Sequence, residues 1–345
     1  MKSASAFESA KRRMKERPQP GSLRPMLAVL ARPAAPLPGK GWIFEPKLDG
    51  QRCLAFRLGR SARLLSRNGR NISGNYPELV HALLAQPAAD FIVDGEIVAL
   101  KRGLPSFEAL QPRMQISDPG RALRSGIKVF YYLFDLLYFE GHDITALPLE
   151  LRKGMLGNVI SFSGPLRATP YGRSGKGKAI FREQCRRGGE GILAKRAGST
   201  YVQKRSPDWL KFKCAGGQEF VIGGYTEPGG AREAFGALLI GYYRGGRLVY
   251  AGRVGTGFDA RTLKDLFERF KPIGQKAPPF ADFGESKVPR EGVHWVRPEL
   301  VCEVRFGEWT RDGLLRHPSF KGLRTDKRPE DVRRETGLDG PGFKK

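Results

Sequence analysis

Residues 42–58 read Trp42-Ile43-Phe44-Glu45-Pro46-Lys47-Leu48-Asp49-Gly50-Gln51-Arg52-Cys53-Leu54-Ala55-Phe56-Arg57-Leu58, two apolar runs broken by a polar turn. Trp42 to Phe44 and Cys53 to Leu58 have the aromatic and apolar character of short strands. Asp49-Gly50 between them suits a turn, because glycine accepts positive φ and aspartate bonds its own backbone. A lysine therefore stands at the mouth of a strand–turn–strand unit, with an acid two residues later and an arginine five later. Lys-x-Asp-Gly alone is weak, recurring by chance in roughly a few per cent of chains of this length. An exposed turn lysine is the plain alternative.

Working outward, further strand-like runs occupy Phe91 to Leu100 and Val129 to Tyr138, with helix-like stretches at Tyr76 to Leu84 and Ile180 to Arg187. The mixture predicts an α+β fold. After Cys214-Ala215-Gly216-Gly217 the pattern changes: Phe220 to Tyr225, Gly236 to Tyr243 and Leu248 to Val254 are strand-like and separated by Gly-rich turns, as in a small β-barrel. Helix-like Ala260 to Phe270 follows, then a Pro-rich loop and a strand at Leu300 to Phe306. Residues 1–24, with Lys11, Arg12, Arg13, Lys15, Arg17, Pro18 and Pro20, read as a mobile basic tail, and 329–345 as a second flexible tail.

Lys and Arg number 60 against 35 Asp and Glu, a formal charge of +25 spread along the chain. Such an excess favours a polyanion, bound through salt-dependent phosphate contacts, although a merely solvated basic surface has the same composition. Cys53, Cys185, Cys214 and Cys302 form no Cys-x-x-Cys pair, so neither a zinc site nor a disulfide framework is expected, in keeping with a reducing cytosol. No apolar run is long enough for a membrane span and no signal core follows the N-terminus; the expectation is a soluble cytoplasmic monomer. Gly172 to Lys178 is Gly- and Lys-rich but lacks the phosphate-loop spacing, and His81, His142 and His294 have no ligand spacing.

Four segments accompany the lysine turn in order: Ser66-Arg67-Asn68-Gly69, Val93-Asp94-Gly95-Glu96-Ile97-Val98, Glu190-Gly191-Ile192-Leu193-Ala194-Lys195 and Trp209-Leu210-Lys211-Phe212-Lys213. Together they resemble the nucleotidyltransferase motifs shared by ATP-dependent DNA ligases, RNA ligases and mRNA capping enzymes. A further element, Arg316-His317-Pro318 through Arg324-Thr325-Asp326-Lys327, resembles the C-terminal motif that ligases and capping enzymes carry on an OB fold. Between the motifs, Pro25-Met26-Leu27-Ala28, Phe134-Asp135-Leu136-Leu137 and Arg316 to Arg324 are most similar to the ligase domain of bacterial ligase D, here as a stand-alone ligase. The resemblance implies an adenylation (nucleotidyltransferase) domain of antiparallel sheets and helices over 25–215 and an OB-fold barrel over 216–328.

It also implies roles. Lys47 would be the nucleophile that takes AMP from ATP, with Asp49, Arg52, Lys211 and Lys213 as its catalytic company; nearby cations disfavour a protonated amine and neutralise phosphate charge. Glu45 and Phe134 would form the purine pocket, and Arg67, Glu96 and Lys195 would join them in binding ATP. Arg324, Asp326 and Lys327 would meet the pyrophosphate when the OB fold closes, with Cys214 to Gly217 as hinge and Thr325 where an acid is more usual. Glu96 and Glu190 would hold Mg²⁺ or Mn²⁺. Core packing for Phe134, a surface turn for either glutamate and a basic loop for Arg67 are the alternatives. The implied reaction seals 5′-phosphate/3′-hydroxyl nicks in duplex DNA, in repair or end joining, with Ku and other end-joining proteins as candidate partners. RNA ligation, capping, or a non-catalytic nucleic-acid-binding relic are the rivals.

Overall fold

The computed structural model describes residues 14–31, 35–173, 175–214, 216–229, 234–282, 291–307, 309–310 and 312–335. Two compact units emerge, one within residues 14–214 and one within 216–335. In chain order the strands of the first are β1 (Lys15–Glu16), β2 (Leu27–Leu30), β3 (Trp42–Pro46), β4 (Gln51–Leu58), β5 (Ser61–Ser66), β6 (Asp90–Lys101), β7 (Leu104–Ser106), β8 (Val129–Phe139), β9 (His142–Asp143), β10 (Leu166–Ala168), β11 (Gly191–Arg196) and β12 (Arg205–Lys213). Its helices are α1 (Pro77–Leu84), α2 (Phe107–Met114), α3 (Pro119–Arg124), α4 (Leu149–Val159) and α5 (Gly177–Arg186). One sheet runs β1-β9-β8-β6-β4-β5, with β7 on β6 and β10 on β8; the other runs β2-β12-β11-β3. The pairings β10–β8 and β12–β2 are parallel, so the sheets are mixed where purely antiparallel ones were expected.

Period-two alternation sorts the apolar residues. On β4, Cys53 and Ala55 join Leu64, Val93, Ile97 and Tyr131 under α1. Leu54 and Phe56 point the other way and share a cluster with Met26, Phe134, Tyr201 and Trp209, the last from the second sheet. Behind that sheet Phe44, Ile192, Ala194 and Phe212 pack against Ile180 and Phe181 of α5. The candidate residues Arg52, Phe134 and Lys195 lie where the facing sides of the two sheets meet.

In the second unit β13 (Gly216–Thr226), β14 (Leu238–Arg244), β15 (Arg247–Val254), β16 (Gly274–Gln275), β17 (Val293–Phe306) and β18 (Ser319–Leu323) form a sheet ordered β15-β14-β13-β17-β16, with β18 on β17. Helix α6 (Ala260–Phe270) contributes Leu266 and Phe270 to its core, and Asp259 caps it by accepting from Thr262 N at 2.7 Å.

Both expected tails are partly docked. Lys15–Glu16 pair with His142–Asp143, Arg17 N donates to Gly141 O at 2.9 Å, and Gln19 Nε2 bonds Arg57 O and Asp90 Oδ1. Backbone pairing offsets the local charge and proline content that argued for mobility. At the other end Val332 is buried, Tyr243 N donates to Val332 O and Glu335 N to Gln218 Oε1, so the second unit extends past 328. Residues 1–13 and 336–345 of these expected tails lie outside the described residues. No helix among the described residues is long and apolar enough to cross a membrane.

The cysteine expectation is also corrected. Cys185 and Cys214 form a disulfide, their Cα atoms 5.2 Å apart. Their sequence separation of 29 hid the pair: α5 lies against β11 and β3, and Cys214 N donates to Glu190 O at 3.1 Å, which turns the end of β12 toward the helix. Cys53 and Cys302 are buried free thiols whose pKa burial pushes up.

Candidate active site

Cross-strand register builds the site. Leu193 stands opposite both Glu45 and Lys211, Lys195 opposite Ile43 and Trp209, and Gly191 opposite Lys213. Lys47, one residue beyond β3, continues the pattern by donating its backbone N–H to Gly191 O at 2.9 Å. Directly opposed residues share a face, so Glu45, Lys47, Lys195, Trp209, Lys211 and Lys213 share one and the apolar Phe44–Ile192–Phe212 set takes the other. The pattern apolar–Glu–Pro–Lys thus puts both functional residues of the turn on the side that carries the paired lysines.

Gly191, between Lys47 and Lys213, is at φ +132° and a Cβ there would lie 2.0 Å from Phe212 O. Only glycine fits. Lys47 and Lys213 are two strand spacings apart, about 10 Å between backbones, and the Lys47 ammonium contacts Glu190 Oε2. Both side chains are partly exposed, at 23% and 29%. Lys47 therefore meets directly the carboxylate of Glu190, which the resemblance gave as a metal ligand.

Arg52 is drawn off by a different acid. Its Nε and Nη2 each lie 2.6 Å from an oxygen of Asp94, which is fully buried and also accepts from Tyr201 Oη at 2.7 Å. Nη2 reaches Met26 O at 3.2 Å, and Met26 N donates to Tyr201 Oη. Burial opposes the Arg52 charge, but Asp94 outweighs it and pushes the pKa up. The guanidinium lies 4.6 Å from the centre of the Phe134 ring. Phe134 itself is 4% exposed, with the Lys195 ammonium 4.0 Å from its centre and Trp209 edge-on at 6.2 Å. In this structure the ring packs between the Arg52 and Lys195 cations.

Lys195 lies beside Glu45, with which the resemblance grouped it. It is completely buried, its ammonium 4.0 Å from the Trp209 ring centre and 2.7 Å from Glu45 Oε2. Burial pulls its pKa down to about 8, against the pull of Glu45. Glu45 Oε1 lies 2.6 Å from Lys153 of α4, a residue the motif reading missed. The sequence carried little signal for it: Leu149, Arg152, Lys153 and Leu156 share the buried side of α4 only in the structure, where charged residues need partners. Arg152 has its partner in Asp135, with both side chains 0% exposed.

Asp49 Oδ2 accepts from Phe107 N, the first residue of α2, at 3.0 Å, so the acid of the lysine turn anchors a helix N-terminus. Gly50 beside it leaves no room for a Cβ, which would meet Ile97 O at 2.2 Å. Glu96 stands between Arg52 and Tyr132 in register, and Arg67 follows β5 in a turn closed by Gly69 at φ +77°. In the second unit Arg324 is bidentate to Asp326 at 2.9 Å and meets Glu303 at 3.1 Å, while Lys327 lies 2.8 Å from Glu219. Glu219, Glu303 and Asp326 supply the negative charge that exposed Thr325 lacks. Gly216 and Gly217, expected in a hinge, are ladder-paired with Phe306 and Arg305.

Comparison with known proteins completes the site's setting. The family profile of the ATP dependent DNA ligase domain matches residues 25–213, and that of the ATP dependent DNA ligase C terminal region matches 231–327. The multifunctional non-homologous end joining protein LigD of Pseudomonas aeruginosa is 39% identical over 94% of this chain and 38% of its own length. LigD of Mycobacterium tuberculosis is 38% identical over 91% of this chain and 40% of its own. The chain thus spans about two fifths of these relatives. A DNA ligase of Methanothermobacter thermautotrophicus is 31% identical, covering 91% and 58%. Among solved structures, mycobacterial DNA ligase D complexed with ATP and MES superposes with a TM-score of 0.64 at 34% identity, over 91% of this chain and 98% of that one. The fold is accordingly a nucleotidyltransferase unit followed by an OB-fold unit.

Proposed function

Because the chain belongs to the family of ATP-dependent DNA ligases, we propose that it seals 5′-phosphate/3′-hydroxyl nicks in duplex DNA through AMP carried on Lys47. The observation that carries this reading is the Lys47–Glu190 contact on a sheet face shared with Lys211 and Lys213. Lys47 Nζ loses a proton to solvent, forms a bond to the α-phosphorus of ATP, and expels pyrophosphate. An oxygen of the nick 5′-phosphate then displaces Nζ from that phosphorus. Finally the 3′-hydroxyl attacks the 5′-phosphate, loses its proton and releases AMP. Lys211 and Lys213 offset phosphate charge as each bond changes.

No cluster of three or more His, Cys, Asp or Glu suited to a metal occurs among the described residues. Glu96 and Glu190 nonetheless fit Mg²⁺ or Mn²⁺, since such ions are held at phosphates by one or two carboxylates. The ion would supply further charge neutralisation on the phosphates. Surplus positive charge supports a duplex partner bound without sequence preference, and similarity to the non-homologous end joining proteins LigD supports end joining as the setting, with a Ku-type protein as candidate partner.

Incubation with α-labelled ATP and Mg²⁺, followed by nicked DNA, nicked RNA or 5′-triphosphate RNA, tests the proposal. An acid-stable label lost in Lys47→Ala and chased into sealed DNA is expected. Absence of label, or sealing confined to RNA, would overturn it.

A further inference from the structure

We propose that Lys153 is a positioning residue for base selection: with Lys195 it clamps Glu45 as an acceptor-only carboxylate, which favours a purine with an amino group at position 6 over one with a carbonyl oxygen there. The proposal rests on the reading of Glu45 as part of the purine pocket of an adenylating enzyme.

The geometry comes from three elements. Glu45 is on β3, two residues before Lys47; α4 brings Lys153 Nζ to 2.6 Å from Oε1, and β11 brings Lys195 Nζ to 2.7 Å from Oε2. Glu45, Lys153 and Lys195 are 1%, 4% and 0% exposed at their side chains. Two cations on one buried carboxylate exceed what packing requires, because each carries a desolvation cost that a single pair would halve. The arrangement also leaves hydrogen-bonding capacity: a carboxylate has about four acceptor sites, of which the two lysines take one on each oxygen, and buried Thr169 Oγ1 has no hydrogen-bond partner. Thr169 begins a segment whose backbone bonds Leu133 of β8 at one end and, through Gly172, Phe44 of β3 at the other. Within it the exposed ring of Tyr171 stands 4.8 Å from Lys153 Nζ. Buried polar atoms without directed partners are uncommon and point to a ligand that completes them.

The two lysines settle what that ligand must offer. Burial alone would push the Glu45 carboxyl up; Lys153 first and Lys195 second outweigh it and hold it below the usual range. Arg52 of β4 adds positive charge near Lys195. A protonated carboxyl both donates and accepts, so it would take either purine type, whereas an ionised one only accepts. An amino group at position 6 meets that need. A charge-assisted bond of this kind corresponds to about ten- to a hundredfold in selectivity.

Adenylation of Lys47 in the full chain, measured with ATP and with inosine triphosphate from pH 5.5 to 8, tests this. Wild type should prefer ATP at every pH. Lys153→Met should raise the KM for ATP about ten- to a hundredfold while kcat changes little. Its ATP preference should also fall as the pH is lowered, because Glu45 then protonates at a less acid pH. Lys153→Arg should restore both. A natively melting Lys153→Met with unchanged preference across the pH range overturns the proposal. Should that variant not fold, Glu45→Gln gives the same reading: its amide donates as well as accepts, and a preference that survives it overturns the proposal. Wild type that forms no adenylate from ATP would instead sink the functional reading, so the two failures are distinct.

Discussion

Asp94→Asn is the sharpest perturbation of the first unit. Asp94 has no exposed surface, and three donors converge on it: Arg52 Nε and Nη2 at 2.6 Å each, and Tyr201 Oη at 2.7 Å. An amide offers one acceptor oxygen and turns its NH₂ toward a donor, so one bond becomes a repulsion and the Arg52 cation loses its counter-charge. Breaking a buried pair in this way costs about 3–5 kcal/mol, a large part of a domain's total of roughly 5–15 kcal/mol. At about 2–4 °C per kcal/mol for a unit of this size, Tm should drop by roughly 6–20 °C. Urea unfolding followed by circular dichroism measures the loss. A double-mutant cycle with Arg52→Met isolates the pair: Asp94→Leu with Arg52→Met should be destabilised by about 2 kcal/mol less than the two single changes together, because no charge is left unpaired. An Asp94→Asn midpoint matching wild type, or strict additivity in the cycle, would refute the reasoning.

The disulfide should matter through the chain it closes. With Cys185 and Cys214 separated by 29 positions, loop entropy predicts that reduction or Cys214→Ser costs about 3–4 kcal/mol, read as a lower urea midpoint with dithiothreitol; coincident curves would mean that the native thiols are not joined. Lys195 should give stability a pH signature. Its folded-state pKa of about 8 lies below the ordinary 10.5, so between those values the unfolded chain holds more protons and stability rises with pH, the cost being full below pH 8. Against Lys195→Met, wild type should therefore gain up to about 3 kcal/mol from pH 8 to 10.5, and stability curves that stay parallel would contradict the assignment.

What was legible in the sequence is local. The strands around Lys47 and the helices α1, α5 and α6 follow from apolar periodicity, and the motif residues follow from the ordered resemblance to nucleotidyltransferase motifs, not from spacing alone. What escaped is non-local or against propensity. Helix α2 contains Pro112, and α4 contains Gly154 and Gly157, each of which weakens a helix that tertiary packing then rescues. Arg52 looked like a phosphate ligand because Asp94, 42 residues away, and Tyr201, 107 residues from Asp94, could not be placed beside it. Lys195 sits in an alternating strand whose pattern cannot reveal that its face is roofed by Phe134 and Trp209.

The distribution of charge separates structural from chemical cations. Arg52, Arg113, Arg152, Lys153 and Lys195 are each matched by a carboxylate, and buried Arg57 binds the carbonyls of Leu83 and Gln86 at the end of α1. Burial demands this, since an unpaired cation in low dielectric would lose its proton or unfold its surroundings. The surplus of +25 must therefore reside mainly on residues that water reaches, and on the site face these include Lys47, Lys211 and Lys213, all only partly buried. Lysines of two kinds thus meet at this face: Lys195, with Lys153 from α4, is buried against Glu45, whereas Lys47, Lys211 and Lys213 are partly exposed. A two-residue step along a strand moves a side chain by about 7 Å on the same face, and from Trp209 to Lys211 that step leads from the packed part of the face, opposite Lys195, to its more exposed part.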